Sequence, residues 1–169
     1  MDFSRKTYIC KKENPMAINM ISNPEKIRSI IDKCEVCYVG MVDPDGKPYV
    51  LPFNFGYEDG SIYLHMAQQG KKMDVLRNNP HVCVAFSTDH QLFHRNEGVA
   101  CSYGMHYRSV LAYGKAVFIE DYDEKVRIMN VTMEKYTGKK FSYNAPAINN
   151  VAVYHIEVSK IEGKLSGYF

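Results

Sequence analysis

The sequence predicts a mainly β domain of the α+β class: a six- to seven-stranded antiparallel barrel with about three helices packed against it. Three observations lead there. Two tight-turn signatures, Asp43-Pro44-Asp45-Gly46 and Glu58-Asp59-Gly60, join three strand-like runs into consecutive hairpins. Helical periodicity separates only some of the strands, unlike the regular alternation of a doubly wound parallel sheet. A long β segment from Ala100 to Glu120 carries Gly104 and Gly114, where bulges or bends let a strand curve around a barrel.

Each element has its own signal. Residues 1–22 read as a polar lead-in without a clear period, in which Met16, Ile18, Met20 and Ile21 can pack on the body or on a partner; the domain proper is expected over 23–169. Asn23 can cap a first helix, with Pro24 at its first position, Glu25 in its first turn and Ile27, Ile30 and Ile31 as its apolar stripe, ending near Lys33. Strands follow at Val36–Val42, Lys47–Tyr57 and Ser61–Met66. Pro52 removes a ladder donor from the second, which predicts an edge or irregular position. A short helix, Lys71–Asn78, turns Met73 and Leu76 inward and stops before Pro80. His81–Thr88 alternates as a strand, and Asp89–Gly98 reads as a loop. After the long β segment, Asp121 and Glu124 resemble a capping box, and Val126, Met129, Met133 and Tyr136 form a helical stripe ending before Gly138. Residues 139–148 read as a loop, Asn150–Glu162 as the last strand and Gly163–Ser166 as a tail.

Composition narrows the function classes. With 169 residues, 46% hydrophobic and 24% charged, the chain has the make-up of one globular domain. A net charge of +2, with basic residues scattered rather than banded, argues against nucleic acid. No apolar run reaches membrane-spanning length, and MDFSRKTYICKKENP lacks the apolar core of a signal peptide, so a cytoplasmic protein is expected. Five cysteines do not suit a disulfide framework. Cys34 and Cys37 have C-x-x-C spacing, but they fall at a helix end and a strand start, which fits two reduced structural thiols. No metal site is expected.

The chemistry-bearing residues gather in one stretch. Nucleotide motifs of the P-loop and dinucleotide-binding kinds are absent, as is a nucleophile elbow. What remains is an irregular hairpin edge (Val50, Leu51, Pro52, Phe53 and Asn54), His65 on the adjacent strand, and Lys71 and Lys72 at a helix start. A helix N-terminus with two lysines suits a phosphate. The edge offers backbone donors and acceptors plus an amide to a planar ring. The set fits a phosphorylated planar cofactor.

The stretch from Lys33 to Phe86 resembles the flavin-binding split β-barrel superfamily, and more closely its pyridoxamine 5′-phosphate oxidase-related branch, which includes the nitroimidazole-resistance (Nim-type) reductases. The blocks Tyr107-Arg108-Ser109-Val110, Gly114-Lys115-Ala116 and Ile161–Ser166 resemble the same branch. The resemblance implies a split barrel forming a homodimer with FMN, or FAD, at the subunit interface. It implies that Lys72, with Lys71, holds the flavin phosphate, that Val50–Asn54 border the ring, and that His65 occupies the active-site histidine position. Tyr107, Arg108 and Ser109 would meet the cofactor or the dimer seam. The activity implied is flavin-dependent reduction of nitro-aromatic, 5-nitroimidazole-like or similar electron-poor substrates, recharged by NAD(P)H or another donor. Two alternatives stay open: a flavin- or haem-binding module without turnover, and an enzyme like pyridoxamine-phosphate oxidase itself. The chain departs from the latter in having no Trp and ending GKLSGYF.

Overall fold

The structure, a computed structural model, describes residues 18–168. Eight strands form one antiparallel sheet: β1 (Ile18–Ile21), β2 (Cys37–Val42), β3 (Pro48–Phe53), β4 (Phe55–Glu58), β5 (Ser61–Ala67), β6 (His81–His94), β7 (Tyr103–Ile119) and β8 (Val151–Ser166). Four α-helices accompany them: α1 (Pro24–Lys33), α2 (Lys71–Asn78), α3 (Tyr122–Thr137) and α4 (Ala145–Asn149), with a 3₁₀ turn at Ala100–Ser102. The strand order is β3-β2-β6-β7-β8-β5-β4, with β1 added on β8. No helix among the described residues is long and apolar enough to cross a membrane.

The barrel follows from one break. The run expected as a single strand over Lys47–Tyr57 is two strands, β3 and β4, separated by Asn54 alone. They lie at opposite ends of the sheet order, so the chain crosses from one edge to the other at this point and wraps the sheet round. Pro52 sits in the edge strand β3, where its missing N–H costs no ladder bond. Past the break, Phe55 N–H donates to the Tyr136 hydroxyl at 3.1 Å rather than to a strand.

Inside the wrapped sheet lie Val39, Phe55, Ile62, Leu64, Val84, Phe86, Val110, Ala112 and Tyr154. Helix α1 adds Ile27, Ile30 and Ile31, and α2 adds Met73, Val75 and Leu76. The Asn23 cap is present, its side chain accepting from Lys26 N–H at 2.9 Å. Cys34 and Cys37 are buried free thiols at the end of α1 and the start of β2, and burial pushes the Cys37 thiol up to about 12, which makes it inert.

Four expectations are corrected. Asp89–Gly98 is not all loop: β6 continues to His94 through a register shift between Thr88 and Gln91, and Asp89 takes φ 55° there. The polar alternation hid a strand that leaves the barrel body. Residues 139–148 contain the start of α4, with Pro146 in its first turn and Asn144 as its cap. Gly163–Ser166 is no tail, since it belongs to β8 and pairs with Ile18–Ile21 of β1; Met16 lies outside the described residues. The inward stripe of α3 is Lys125, Ile128 and Thr132, one residue behind the expected one. The cause is Gly56 on β4: a side chain there would meet Thr132 Oγ1 and Val131 Cγ1 at 3.0 Å, so α3 lies close and turns a short residue to the strand. The longer Met129 and Tyr136 flank that contact.

Candidate functional site

The first hairpin turn anchors the site. Asp43 Oδ1 accepts from Asp45 N–H at 3.1 Å and from Lys47 N–H at 2.9 Å, which closes the turn as the Asp-Pro-Asp-Gly signature predicts. Its other oxygen, Oδ2, lies 3.3 Å from Lys71 Nζ. Asp43 is only 8% exposed, and the Lys47 amide and then Lys71 hold its carboxyl below the usual range. The Lys71 ammonium also lies 4.7 Å from the Tyr49 ring centroid. Lys71 is therefore already neutralised within the chain, and it ties α2 to the β2–β3 turn.

Lys72 is different. Its ammonium lies 5.4 Å from the Phe53 ring centroid, and no carboxylate among the described residues pairs with it. It is the second residue of α2, whose N-cap is Gly70, at φ 104°, with no side chain capping it. A free cation thus stands at an uncapped helix start, where aligned peptide dipoles add partial positive charge. The two lysines and β3 come together through these ring contacts: Val50, Leu51, Pro52 and Phe53 form the edge strand, and Asn54 is the exposed break beside it.

His65 lies on β5, opposite Val153 of β8. Its Nδ1 is buried without a hydrogen-bond partner. Burial first, and the nearby Lys72 charge second, hold the imidazolium below its usual pKa, so the ring is neutral near pH 7. That electrostatic coupling puts His65 in the neighbourhood of Lys72.

The third predicted group divides. Directly opposed residues share a sheet face. Pro52 opposes Tyr38, Tyr38 opposes Ala85 and Ala85 opposes Leu111, while Val50, Gly40, Cys83 and Tyr113 form the next row. Ser109 follows on the same outer face, opposite Ser87, and Tyr107 follows by the two-residue period with Lys164 Nζ 5.2 Å from its ring centroid. Arg108 turns the other way. It pairs with Asp89 and lies 4.1 Å from the Tyr168 ring centroid, and Tyr168 donates to Asp89 O at 2.8 Å. A guanidinium held this way is not on the face that carries Val50 and Tyr107.

The outer face is apolar and open. Tyr38 is 49% and Val50 58% exposed, and Val42 is exposed beside them. A concavity of about 720 Å³ lies on it between Gly40, Cys83, Tyr113 and Glu157, away from Lys72. Sequence reasoning missed Asp43 and Tyr49, the partners of Lys71. The turn signature identified Asp43 as a turn former but carried no sign of its second oxygen's use.

A family model described as pyridoxamine 5′-phosphate oxidase matches residues 23–165. The chain is similar to a candidate 5-nitroimidazole antibiotic resistance protein from Bacteroides thetaiotaomicron, at 40% identity and a TM-score of 0.79, over 88% of this chain and 87% of that one. A FAD and heme binding protein from Mycobacterium smegmatis shares the fold at 16% identity and a TM-score of 0.77, over 89% of this chain and 74% of that one. So does a flavocytochrome from Azotobacter vinelandii, at 22% identity and a TM-score of 0.73, over 86% and 68%. No curated protein matches the chain.

Proposed function

The chain belongs to the pyridoxamine 5′-phosphate oxidase family of split β-barrels, and from that premise we propose that it is a flavin-dependent reductase of small nitro-aromatic or similarly electron-poor substrates, working as a homodimer with FMN. One observation carries the reading: the unpaired Lys72 ammonium at an uncapped helix start, set against an apolar edge strand. A phosphate needs the first, and a planar ring the second.

The residues fit that cofactor. Lys72 and the first amides of α2 would hold the phosphate, while Lys71, neutralised by Asp43, keeps α2 in place. Val50, Leu51, Pro52, Phe53 and Asn54 would border the ring. When bound, the flavin supplies the electron transfer. The chain's own part is to bind, orient and supply protons. His65, neutral and partly buried, can orient an acceptor group through its ring nitrogens, and can deliver a proton once it has gained one. The apolar outer face with Tyr38, Val42 and Val50 is the surface a second copy would cover, and Tyr107 and Ser109 lie on it. The relative from Bacteroides thetaiotaomicron supports 5-nitroimidazoles as the first substrates to try.

The test combines cofactor binding with turnover. FMN should bind the wild-type protein, with NAD(P)H or dithionite bleaching the flavin and a 5-nitroimidazole restoring its colour. Lys72→Ala should weaken FMN about tenfold to a hundredfold, the value of a charge-assisted hydrogen bond. His65→Ala should retain most of the affinity and lose the restoring step. No flavin binding overturns the reading; binding without substrate-driven reoxidation would make the protein a carrier or sensor instead.

A further inference from the structure

Beyond Thr88 and Tyr107 the sheet narrows to two strands. Residues 91–94 of β6 and 103–106 of β7 pair with each other and, among the described residues, with no other strand. They form an arm that stands out from the barrel, with the 3₁₀ turn at Ala100–Ser102 near its tip. One side of the arm is braced by its own chain. Phe93 stacks on His106 at 4.8 Å between ring centroids, and His106 meets the Tyr168 ring edge-on at 5.6 Å. Tyr168 is held in turn by Arg108 and the Asp89 carbonyl. The other side is open. Leu92 and Met105 oppose each other there, 64% and 45% exposed. A two-stranded ribbon is marginal in water, and an apolar pair left on it favours a partner surface.

The strand period identifies that surface. β7 alternates without a break from Tyr113 to Tyr103, so Met105 shares a face with Tyr107, Ser109, Leu111 and Tyr113. This is the face that the proposed homodimer buries, and the inference rests on that reading. A second copy seated there meets the arm as a continuation of its own seam. A twofold axis allows two arrangements with the strands aligned. One lays arm on arm. The other reverses the strands and lays each arm over the opposite end of the partner, where the β2–β3 turn carries Asp43 and, through it, Lys71 and the start of α2. The lengths match the second. From the row that holds Tyr38 and Leu111, Met105 lies about 20 Å along β7 in one direction, and Asp43 about 17 Å along β2 in the other. The second arrangement also completes the site, because within one copy the ring would meet only the edge strand and leave Val50 open. We propose that each copy's arm closes over the cofactor site of the other, with Leu92 and Met105 seated against the partner's β2–β3 turn and edge strand.

Two experiments test this, the first without flavin. Leu92→Cys and Asp45→Cys chains, each also carrying Cys10→Ser and Cys101→Ser, are treated with a short bismaleimide. Coexpressed together they should be joined covalently, and neither should be joined when expressed alone. Joining of Leu92→Cys chains alone would mean arm on arm and overturns the proposal, as does the absence of product in the mixture. In the second experiment Leu92→Ser with Met105→Ser should weaken FMN about tenfold, the loss expected when an apolar anchor is truncated. This chain is then coexpressed with Lys72→Ala under a different affinity tag, and the mixed dimer is isolated. An arm acting on its partner leaves one site with both defects and one with neither, so the mixed dimer should bind one FMN at wild-type affinity. An arm acting on its own copy leaves a defect in each site, and the absence of a wild-type site overturns the proposal. Cross-linking of the mixed cysteine chains in a protein that takes no FMN would support the docking and overturn the cofactor reading instead.

Discussion

His65 shows how one side chain reports on its surroundings. Burial and the Lys72 charge both disfavour its protonated form, so its folded pKa lies below the unfolded value of about 6.5. The sign follows from linkage: the unfolded chain binds this proton more tightly, so the stability tied to neutral His65 is complete above pH ~6.5 and declines as pH falls through the folded pKa. The urea midpoint of wild type should therefore drop more steeply below pH 6.5 than that of His65→Gln. Parallel curves would remove the electrostatic argument. An anion on Lys72 offsets the second cause, so adding FMN should raise the His65 pKa in an NMR titration. Lys71 and Lys72 make the complementary point. They are adjacent in sequence and equal in charge, yet Asp43 neutralises one and leaves the other free. The sequence places both lysines at a helix start, but which one is available depends on a carboxylate 28 residues earlier, and pairing at that distance has no local signature.

At the scale of elements, local chemistry was legible wherever a cap, a turn or a proline dictated it. The Asn23 cap, the Asp43 turn, the edge placement of Pro52 and the Asp121 cap, which accepts from Glu124 N–H at 2.8 Å, all appear as expected. The failures have a common cause in packing between elements. Apolar counting favoured Val126 and Met133 on the inward face of α3, whereas the close approach to Gly56 selected Thr132. The extension of β6 past Thr88 depends on its partner β7, because alternation fails at the bulge. Gly114 is the counterexample, a bulge foreseen from a glycine. The register of β7 on β8 shifts between Tyr113 and Gly114, and a Cβ there would lie 2.2 Å from the Glu157 carbonyl oxygen. Backbone cannot yield as a flexible side chain can, so Gly114→Ala should destabilise by about 1–3 kcal/mol, the range for overpacking. Urea unfolding measures this, and a loss within error would mean that the two strands can separate locally without cost. Gly104, also expected to mark a bulge, pairs with Phe93 in unbroken register and has no such role.

Among the described residues the sheet is rolled on itself by the break at Asn54, and no described helix covers one large face of it. Inside, the alternating positions Val39, Val84, Val110 and Ala112 are sealed. Outside, their neighbours Tyr38, Gly40, Cys83, Ala85, Leu111 and Tyr113 form rows continuous with Pro52 and Val50 on the edge strand. Helices α3 and α4 cover the opposite side, near β5 and β8, so they cannot shield these rows. The alternation of these strands was legible from the sequence. The open face was not, because strand order decides which outward residues become neighbours. Under the proposed homodimer this face is the seam, and the edge strand beside Lys72 ties assembly to cofactor binding. Charges placed on two rows of this face should then act twice, by desolvation and by like-charge repulsion across the twofold axis. Tyr38→Asp combined with Val42→Asp replaces two exposed side chains that do not border the proposed ring site and leaves the barrel interior untouched. The variant should keep its far-UV circular dichroism, sediment as a monomer where wild type sediments as a dimer, and bind FMN at least tenfold more weakly although Lys72 is intact. A variant that stays dimeric would move the seam to another face. A monomer that binds FMN as tightly as wild type would show that one copy holds the flavin alone, and would separate the cofactor assignment at Lys72 from the assembly argument.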